Sequence, residues 1–376
     1  MTPIYLDYNA TTPVDSKVLE RMLPYFTEKF GNAASSTHSH GWQGKSAVES
    51  ALNTLSKFLK VDESELIFTS GSTESINLAI KGVFEKYQSK GKHFICSKAE
   101  HKATLDTFNY IEKQGAELTY LDVDSHGQIS LTELQAALRP NTVLVSIMLA
   151  NNETGVISDL KKASELIHRN QSIFMSDITQ AVGKIDIDIN DLGIDLAPIS
   201  AHKFYGPKGV GALYVRRRGP RVALQEQING GGHQKGRRSG TLNVPGIVGL
   251  SEAVKIIDYS KVSFVKEIRD FFEAEIKRNF DVEIIGEDQE RLPNTSMICF
   301  KGVKAERLVA KCSKLSMSMG SACTSSHQEA SHVLKSMGVK DELIDGAIRF
   351  SFGKNNRMME VREIIKELKN GIDQII

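Results

Sequence analysis

Between about Ser46 and about Tyr259 the chain alternates short apolar runs with stretches in which apolar residues recur every three to four positions. Leu66 to Phe68, Phe94 to Cys96, Leu118 to Leu121, Val143 to Met148 and Ala212 to Val215 are such runs, and their length and apolar character predict buried strands. Amphipathic stretches between them, such as Ile76 to Tyr87, predict helices. This alternation is the pattern of an α/β chain whose mainly parallel sheet is covered by helices. After Tyr259 the texture shifts to charged helices and shorter strands, including Glu283 to Ile285, Ser296 to Phe300 and Leu315 to Met319, which predicts a second, smaller α+β domain. Val361, Ile364, Ile365, Leu368 and Ile372 follow the helical repeat, so a closing helix packs one face onto that domain. The expected division is a large domain at 15–259 and a small domain built from 1–14 and 260–376.

Composition adds limits. With 376 residues and 40% hydrophobic content the chain can bury more than one core. Its net charge of +1 gives no overall field toward nucleic acid or an anionic membrane. The local clusters Arg216-Arg217-Arg218 and Arg237-Arg238 read as a solvated strand end and a loop rather than as an RNA contact. No apolar run approaches the ~20 residues that span a bilayer, and Met1-Thr2-Pro3-Ile4-Tyr5 is no basic and apolar leader, so a cytoplasmic protein is expected. Four cysteines, Cys96, Cys299, Cys312 and Cys323, lack the paired spacing of a disulfide framework or zinc cluster. His38 and His40 alternate as metal ligands do, but no carboxylate or cysteine cluster accompanies them, so no metal is expected.

The candidate chemistry lies in Ser200-Ala201-His202-Lys203, with the glycine-rich run Gly206 to Gly211 after it and Asp177-Ile178-Thr179-Gln180 before it. These pieces fit a pyridoxal-phosphate pocket. A Schiff base needs a neutral amine, which a pocket unfavourable to positive charge provides, and Lys203 is the candidate. The cofactor also needs a carboxylate that keeps its ring nitrogen protonated; Asp177, after the apolar stretch Ile173 to Met175, stands where a strand's carboxyl end meets a ligand. Gln180, three residues on, is placed to reach the ring hydroxyl. Thr69-Ser70-Gly71-Ser72-Thr73-Glu74-Ser75 joins a strand to a helix, a setting in which free backbone N–H groups and the hydroxyls of Ser72 and Thr73 bind a phosphate. Read singly, each piece has a plainer explanation: a turn with an N-cap, or a surface lysine. Their order along one chain favours the pocket.

A last run, Met319-Gly320-Ser321-Ala322-Cys323-Thr324-Ser325-Ser326-His327, surrounds Cys323 with small and polar residues, which predicts a loop carrying a thiol with little to pack against. A tolerated surface thiol is the plainer reading; beside a pyridoxal pocket the thiol gains a chemical use.

With these motifs, and with Tyr5-Leu6-Asp7-Tyr8-Asn9-Ala10-Thr11-Thr12 at one end and Ile348-Arg349-Phe350-Ser351 at the other, the chain resembles the cysteine desulfurases of the NifS and IscS type over nearly its whole length. The Gly-Ser-Ala-Cys-Thr-Ser run resembles the class whose catalytic cysteine rides a long loop. The resemblance implies the fold of aspartate aminotransferase, fold type I of the pyridoxal-phosphate-dependent transferases, and a homodimer with active sites at the subunit interface. Residue by residue, Lys203 matches the Schiff-base lysine and His101 the histidine stacked on the cofactor ring. Asp177 and Gln180 match the ring contacts, and Thr73, Ser200 and His202 the phosphate ligands. Thr241 matches a phosphate ligand delivered by the partner subunit. Asn152 matches a residue beside cofactor and substrate carboxylate, while Asn32 and Arg349 would help hold that carboxylate. Arg349 is the stronger candidate, because a guanidinium offers a carboxylate two parallel hydrogen bonds; its rival reading is a surface strand residue paired with Asp345 or Glu342.

The implied reaction takes sulfur from L-cysteine, leaves alanine, and places a persulfide on Cys323 for delivery to acceptor proteins such as an iron-sulfur scaffold, or to thio-cofactor and tRNA thiolation pathways. The chain stops at Ile376 soon after its closing helix, where longer relatives carry a tail that helps dock the scaffold, so that delivery is the less secure part of the expectation. A class V aminotransferase or selenocysteine lyase of the same fold would share Lys203 and Asp177, and the aminotransferase would not need Cys323. A partner-dependent sulfur-transfer hub is the third alternative.

Overall fold

The computed structural model describes residues 3–319 and 330–375. Seven strands form the large sheet, in the spatial order Leu66–Thr69, Gly211–Val215, Leu196–Ser200, Ile173–Met175, Thr142–Ser146, His93–Ser97 and Glu117–Leu121. Only Gly211–Val215 runs against its neighbours; the adjoining pairs from Leu196–Ser200 outward are parallel. Most of these strands are buried along their whole length, as strands covered on both faces must be, and this explains their continuous apolar runs. The helices Ser72–Lys86, Lys102–Glu112 and Leu160–Arg169 lie in the crossovers between these strands, and Ser39–Leu59 precedes the first of them. One core layer joins Phe68, Ile95, Val145, Phe174 and Ile199 to the helices on one face; another joins Ile67, Phe94, Leu144, Met175 and Leu213 to those on the other.

A second sheet, ordered Ser318–Met319, Ala347–Ser351, Thr295–Phe300 and Val282–Ile285, is antiparallel throughout. Its core gathers Leu6 with Ile268, Phe272, Ile298, Phe350, Ile364 and Leu368, so the closing helix Glu360–Asp373 packs as its apolar repeat requires. The N-terminal segment joins this unit: Ile4–Tyr5 pairs in parallel with Leu315–Ser316.

Two expectations change. Leu315 to Met319 is not one strand but two, because Leu315–Ser316 belongs to the pair with Ile4–Tyr5 while Ser318–Met319 joins the four-stranded sheet. The basic clusters are also not simply solvated. Arg216 pairs with the buried carboxylate of Asp195 at 3.0 Å, Arg237 donates to the carbonyls of Ser64 and Leu66, and Arg238 forks onto Glu74 at 2.7 and 3.1 Å. Arg237 and Arg238 satisfy partly buried acceptors that water would otherwise have to meet, and Arg216 sets its charge against Asp195 while Nη2 donates to the Ile194 carbonyl at 3.0 Å.

Candidate active site

The strands Leu66–Thr69, His93–Ser97, Thr142–Ser146, Ile173–Met175 and Leu196–Ser200 all point the same way, so the segments that follow them open onto one edge of the sheet. Those segments carry Ser72 and Thr73, His101, Asn152, Asp177 with Gln180, and Lys203. This is the edge at which open α/β sheets bind ligands.

Lys203 ends a single 3-10 turn, Ala201–Lys203. Its ammonium donates to the carbonyls of Asn9 at 2.7 Å and Ala10 at 2.8 Å. Burial, with Arg349 adding to it, pushes its pKa down to about 8, although Asp177 and Asp7 pull the other way. A lysine in this setting holds a usable fraction of neutral amine near pH 7. Asp177 is buried, and its Oδ1 accepts from the Thr179 N–H at 2.9 Å. Gln180 is also buried; Nε2 donates to the Asn9 carbonyl at 3.0 Å and Oε1 accepts from Lys184 at 2.7 Å, which leaves one amide N–H for a ring oxygen.

His101 caps the helix Lys102–Glu112, with Nδ1 accepting from the Ala103 N–H at 3.1 Å. That bond puts the proton of the neutral ring on Nε2. Burial lowers the pKa of His101, Asp177 partly offsets this, and Lys203 and His332 reinforce it, so the ring is neutral near pH 7 and lies within the field of both cofactor candidates. His202 touches the Thr11 hydroxyl through Nδ1 at 3.1 Å, and burial first, then Lys203, holds its pKa down at about 4.

At the phosphate end, the helix Ser72–Lys86 begins at Gly71 with no side chain capping its first N–H groups. Gly71 has φ +152°, a backbone conformation that residues with a Cβ rarely adopt, so a glycine suits the turn that sets the helix end beside Ser200. Arg238 neutralises Glu74 in the first turn, removing a charge that would oppose an anion at this helix end.

Arg349 sits in the strand Ala347–Ser351 and is 3% exposed. It pairs with neither Asp345 nor Glu342: Nη1 donates to the Asn152 carbonyl at 2.9 Å and Nη2 to Asp7 Oδ1 at 2.7 Å. The Nε of Arg349 and the Oδ1 of Asn152 are both buried without a hydrogen-bond partner among the described residues. Two such orphans on bonded residues fit a polar group supplied by a ligand.

These residues fit pyridoxal phosphate: an uncapped helix end for the phosphate, Asp177 for the ring nitrogen, a depressed lysine for the aldehyde, and Arg349 with Asn152 for a substrate carboxylate. Thr241 and Asn32 stand exposed, and neither bonds to the cluster; Asn32 Oδ1 instead accepts from the Ala34 N–H at 2.9 Å. Cys323 lies outside the described residues. The other three cysteines are buried, and burial raises their thiols: Cys96 well above its ordinary value, Cys299 to about 12 and Cys312 to about 11. Among the described residues no group of three or more His, Cys, Asp or Glu side chains is placed to hold a metal, and no helix is long and apolar enough to cross a membrane.

Several residues join the site without a local signal. Asn9 is 1% exposed and ties its edges together: its carbonyl meets Lys203 and Gln180, and its amide N–H₂ meets the Asn152 carbonyl and the Thr295 hydroxyl. Glu100 is wholly buried, and burial with the Asp177 charge lifts its pKa to about 8. Glu153, raised by burial to about 7, accepts from the Ser331 hydroxyl at 2.5 Å.

Comparison with known proteins adds the following. The family profile described as aminotransferase class-V matches residues 4–364. The protein named cysteine desulfurase IscS from Neisseria meningitidis serogroup C, serotype 2a, is 46% identical over 377 residues, covering 100% of this chain and 93% of its own. Its namesake from Anaeromyxobacter sp. strain Fw109-5 is 45% identical over 368 residues, covering 97% and 91%. Among solved structures, a NifS-like protein superposes with a TM-score of 0.92 at 36% identity over all of both chains. A structure described as SspA in complex with cysteine gives a TM-score of 0.83 at 33% identity, over 93% of this chain and 98% of its own.

Proposed function

This chain belongs to the class-V aminotransferase family and is a pyridoxal-phosphate-dependent cysteine desulfurase, and we propose that Lys203, His101 and Cys323 carry its chemistry. The observation that carries the assignment is Lys203, a half-buried lysine with its pKa pushed down to about 8 at the edge where Asp177, Gln180 and His101 meet. In this reading residues 15–259 form the cofactor-binding domain, and 1–14 with 260–376 form the small domain that bears Cys323.

Arg349 holds the carboxylate of L-cysteine, with its Nε a buried donor left without a partner; Asn152 lies beside it and offers its unpartnered Oδ1 to a ligand donor, and Asn32 assists from the surface. Ser72, Thr73, Ser200 and His202 hold the phosphate, with Thr241 supplied by the partner subunit of a homodimer. Asp177 holds a proton at the ring nitrogen, where a carboxylate stabilises the positive charge. Pyridoxal phosphate, when bound, supplies an electron-withdrawing ring that stabilises the charge left when substrate Cα loses its proton. Lys203, as neutral amine, accepts that Cα proton. His101 exchanges a proton through Nε2, the nitrogen not engaged by Ala103.

Cys323 then attacks the substrate sulfur as thiolate. An S–S bond forms, the substrate C–S bond breaks with its electron pair on the carbon fragment, and protonation of that fragment gives alanine. The outer sulfur stays on Cys323 as a persulfide, ready for an acceptor protein. The raised thiols of Cys96, Cys299 and Cys312 support this choice, since a thiolate is the nucleophile and burial suppresses it. In this reading the acceptor is a protein of the iron-sulfur scaffold type and the enzyme is cytoplasmic; the relatives named cysteine desulfurase IscS support the desulfurase chemistry on which the acceptor depends. Lys203→Ala tests the assignment: cofactor attachment and alanine production are both expected to disappear, and alanine formed at the wild-type rate would remove Lys203 from the chemistry.

A further inference from the structure

Lys184 is half-buried, and among the described residues its ammonium meets no carboxylate. It faces two side-chain carbonyl oxygens instead, Gln180 Oε1 at 2.7 Å and Asn9 Oδ1 at 3.4 Å. The Asn9 amide cannot turn over to suit another partner, because its N–H₂ donates to the Asn152 carbonyl and the Thr295 hydroxyl while its Oδ1 also accepts from Asn294 Nδ2 at 3.0 Å. With two N–H bonds pointed at two carbonyls, Lys184 donates to both as ammonium or as amine. Burial, with Lys203 and Arg349 nearby, disfavours its charged form, so a cation here serves no surface pairing. It lines a cavity of about 370 Å³ that Lys203 also lines, and a second of about 870 Å³ that Asp186, Asp270 and Glu273 also line.

The consequence falls on Gln180. A glutamine amide has a donor end and an acceptor end of nearly equal shape, and its partners decide which way it lies. Lys184 takes the oxygen, so the nitrogen must face the Asn9 carbonyl, the same acceptor that binds Lys203 Nζ. The N–H₂ end therefore lies on the Lys203 side of the pocket.

We propose that Lys184 is a positioning residue that fixes the Gln180 amide with its N–H₂ end toward the cofactor, so that Gln180 acts as a hydrogen-bond donor to the cofactor's ring oxygen. This rests on the assignment of Gln180 to the ring. A donor at that oxygen stabilises negative charge on it and lowers the proton affinity of the neighbouring Lys203 nitrogen. Removing Lys184 leaves Gln180 Oε1 buried without its donor, and the amide then rotates to find another.

The test uses purified holoenzymes and titrates the visible absorbance of bound pyridoxal phosphate against pH, without substrate. Gln180→Ala is expected to raise the spectral midpoint, and Lys184→Met to raise it by about one pH unit, a tenfold change in proton affinity. In the Gln180→Ala background, Lys184→Met is expected to add little, because its effect passes through the amide. Asp177, His101, Lys203, Arg349 and Asp7 are retained in every variant, so their charges cancel in the comparison. Lys184→Arg, which keeps a donor, is expected to restore most of the wild-type midpoint. An unchanged midpoint in Lys184→Met beside a raised one in Gln180→Ala overturns the role of Lys184 alone. A full-sized Lys184→Met shift in the Gln180→Ala background also overturns it, since the lost charge would then be acting directly. If Gln180→Ala itself leaves the midpoint in place, the assignment of Gln180 fails and the inference with it. Should Lys184→Met not fold, Lys184→Ser removes the donor, because its hydroxyl stands too close to the backbone to replace Nζ at Gln180 Oε1, while keeping a polar side chain; a raised midpoint supports the proposal and an unchanged one overturns it.

Discussion

Replacing Arg349 by lysine keeps the positive charge and removes the fork, so it isolates the geometric part of substrate binding. In the free enzyme Arg349 spends Nη1 on the Asn152 carbonyl and Nη2 on Asp7, with Nε buried and unpartnered. A lysine ammonium at the end of a flexible stem can neutralise Asp7, but it cannot also present two parallel N–H bonds to a carboxylate. Losing one charge-assisted hydrogen bond costs about 1.5–3 kcal/mol, which raises the cysteine concentration at half-saturation by ~10- to 150-fold. The kcat should fall much less, because the carboxylate is held equally in ground and transition states. The assay is alanine formation against cysteine concentration, run beside a thermal melt to register any loss from the Asp7 contact. A half-saturation point within twofold of wild type would refute the reasoning. If only the melting temperature fell, Arg349 would be a structural tie between Asp7 and Asn152 rather than a substrate ligand.

Other outcomes follow from the same geometry. With Lys203 as the proposed cofactor lysine, joining as its neutral amine, the rate at which apoprotein takes up pyridoxal phosphate should rise with pH and level off above about 8; a midpoint near the ordinary lysine value of 10.5 would contradict the burial argument. Glu100 has its pKa raised from 4.5 to about 8, so folding favours its protonated form; its stabilising effect is full below 4.5 and is lost as pH rises through about 8. Glu100→Gln should therefore remove about 1.4 kcal/mol per pH unit of that decline in denaturation experiments, and an unchanged slope between pH 5 and 8 (about the interval between the two values) would show that Glu100 is ionised in the fold. Cys323→Ser should bind cofactor and cysteine normally yet release no sulfide; sulfide at the wild-type rate would rule Cys323 out as the sulfur acceptor.

Much of this was legible in the chain before the fold was known, and the reason is local. The strand ends that carry Asp177 and Lys203 show a switch from an apolar run to polar residues within a few positions, and the buried helix and strand repeats fix those elements. What escaped depends on partners distant in sequence. Arg349 and Asp7 are 342 residues apart, and Asn9 reaches Thr295 across 286 and Lys203 across 194. No period reports such a contact, because periodicity describes only which face of its own element a residue occupies. Leu315 to Met319 misled for a related reason: five suitable residues can serve one sheet or be divided between two, and the division is set by Ile4–Tyr5 arriving from the other end of the chain. Nothing in the neighbouring sequence marks Glu100 or Glu153, because their raised pKa values come from burial that only the assembled fold creates.

The most direct test of the central claim is anaerobic incubation of the holoenzyme with L-cysteine, followed by mass spectrometry of the intact chain and its peptides and by an alanine assay. One added sulfur on the peptide containing Cys323, with alanine formed alongside it, is the expected result. Alanine formed while Cys323 stays unmodified and the sulfur appears on another cysteine, or as free sulfide alone, would contradict it.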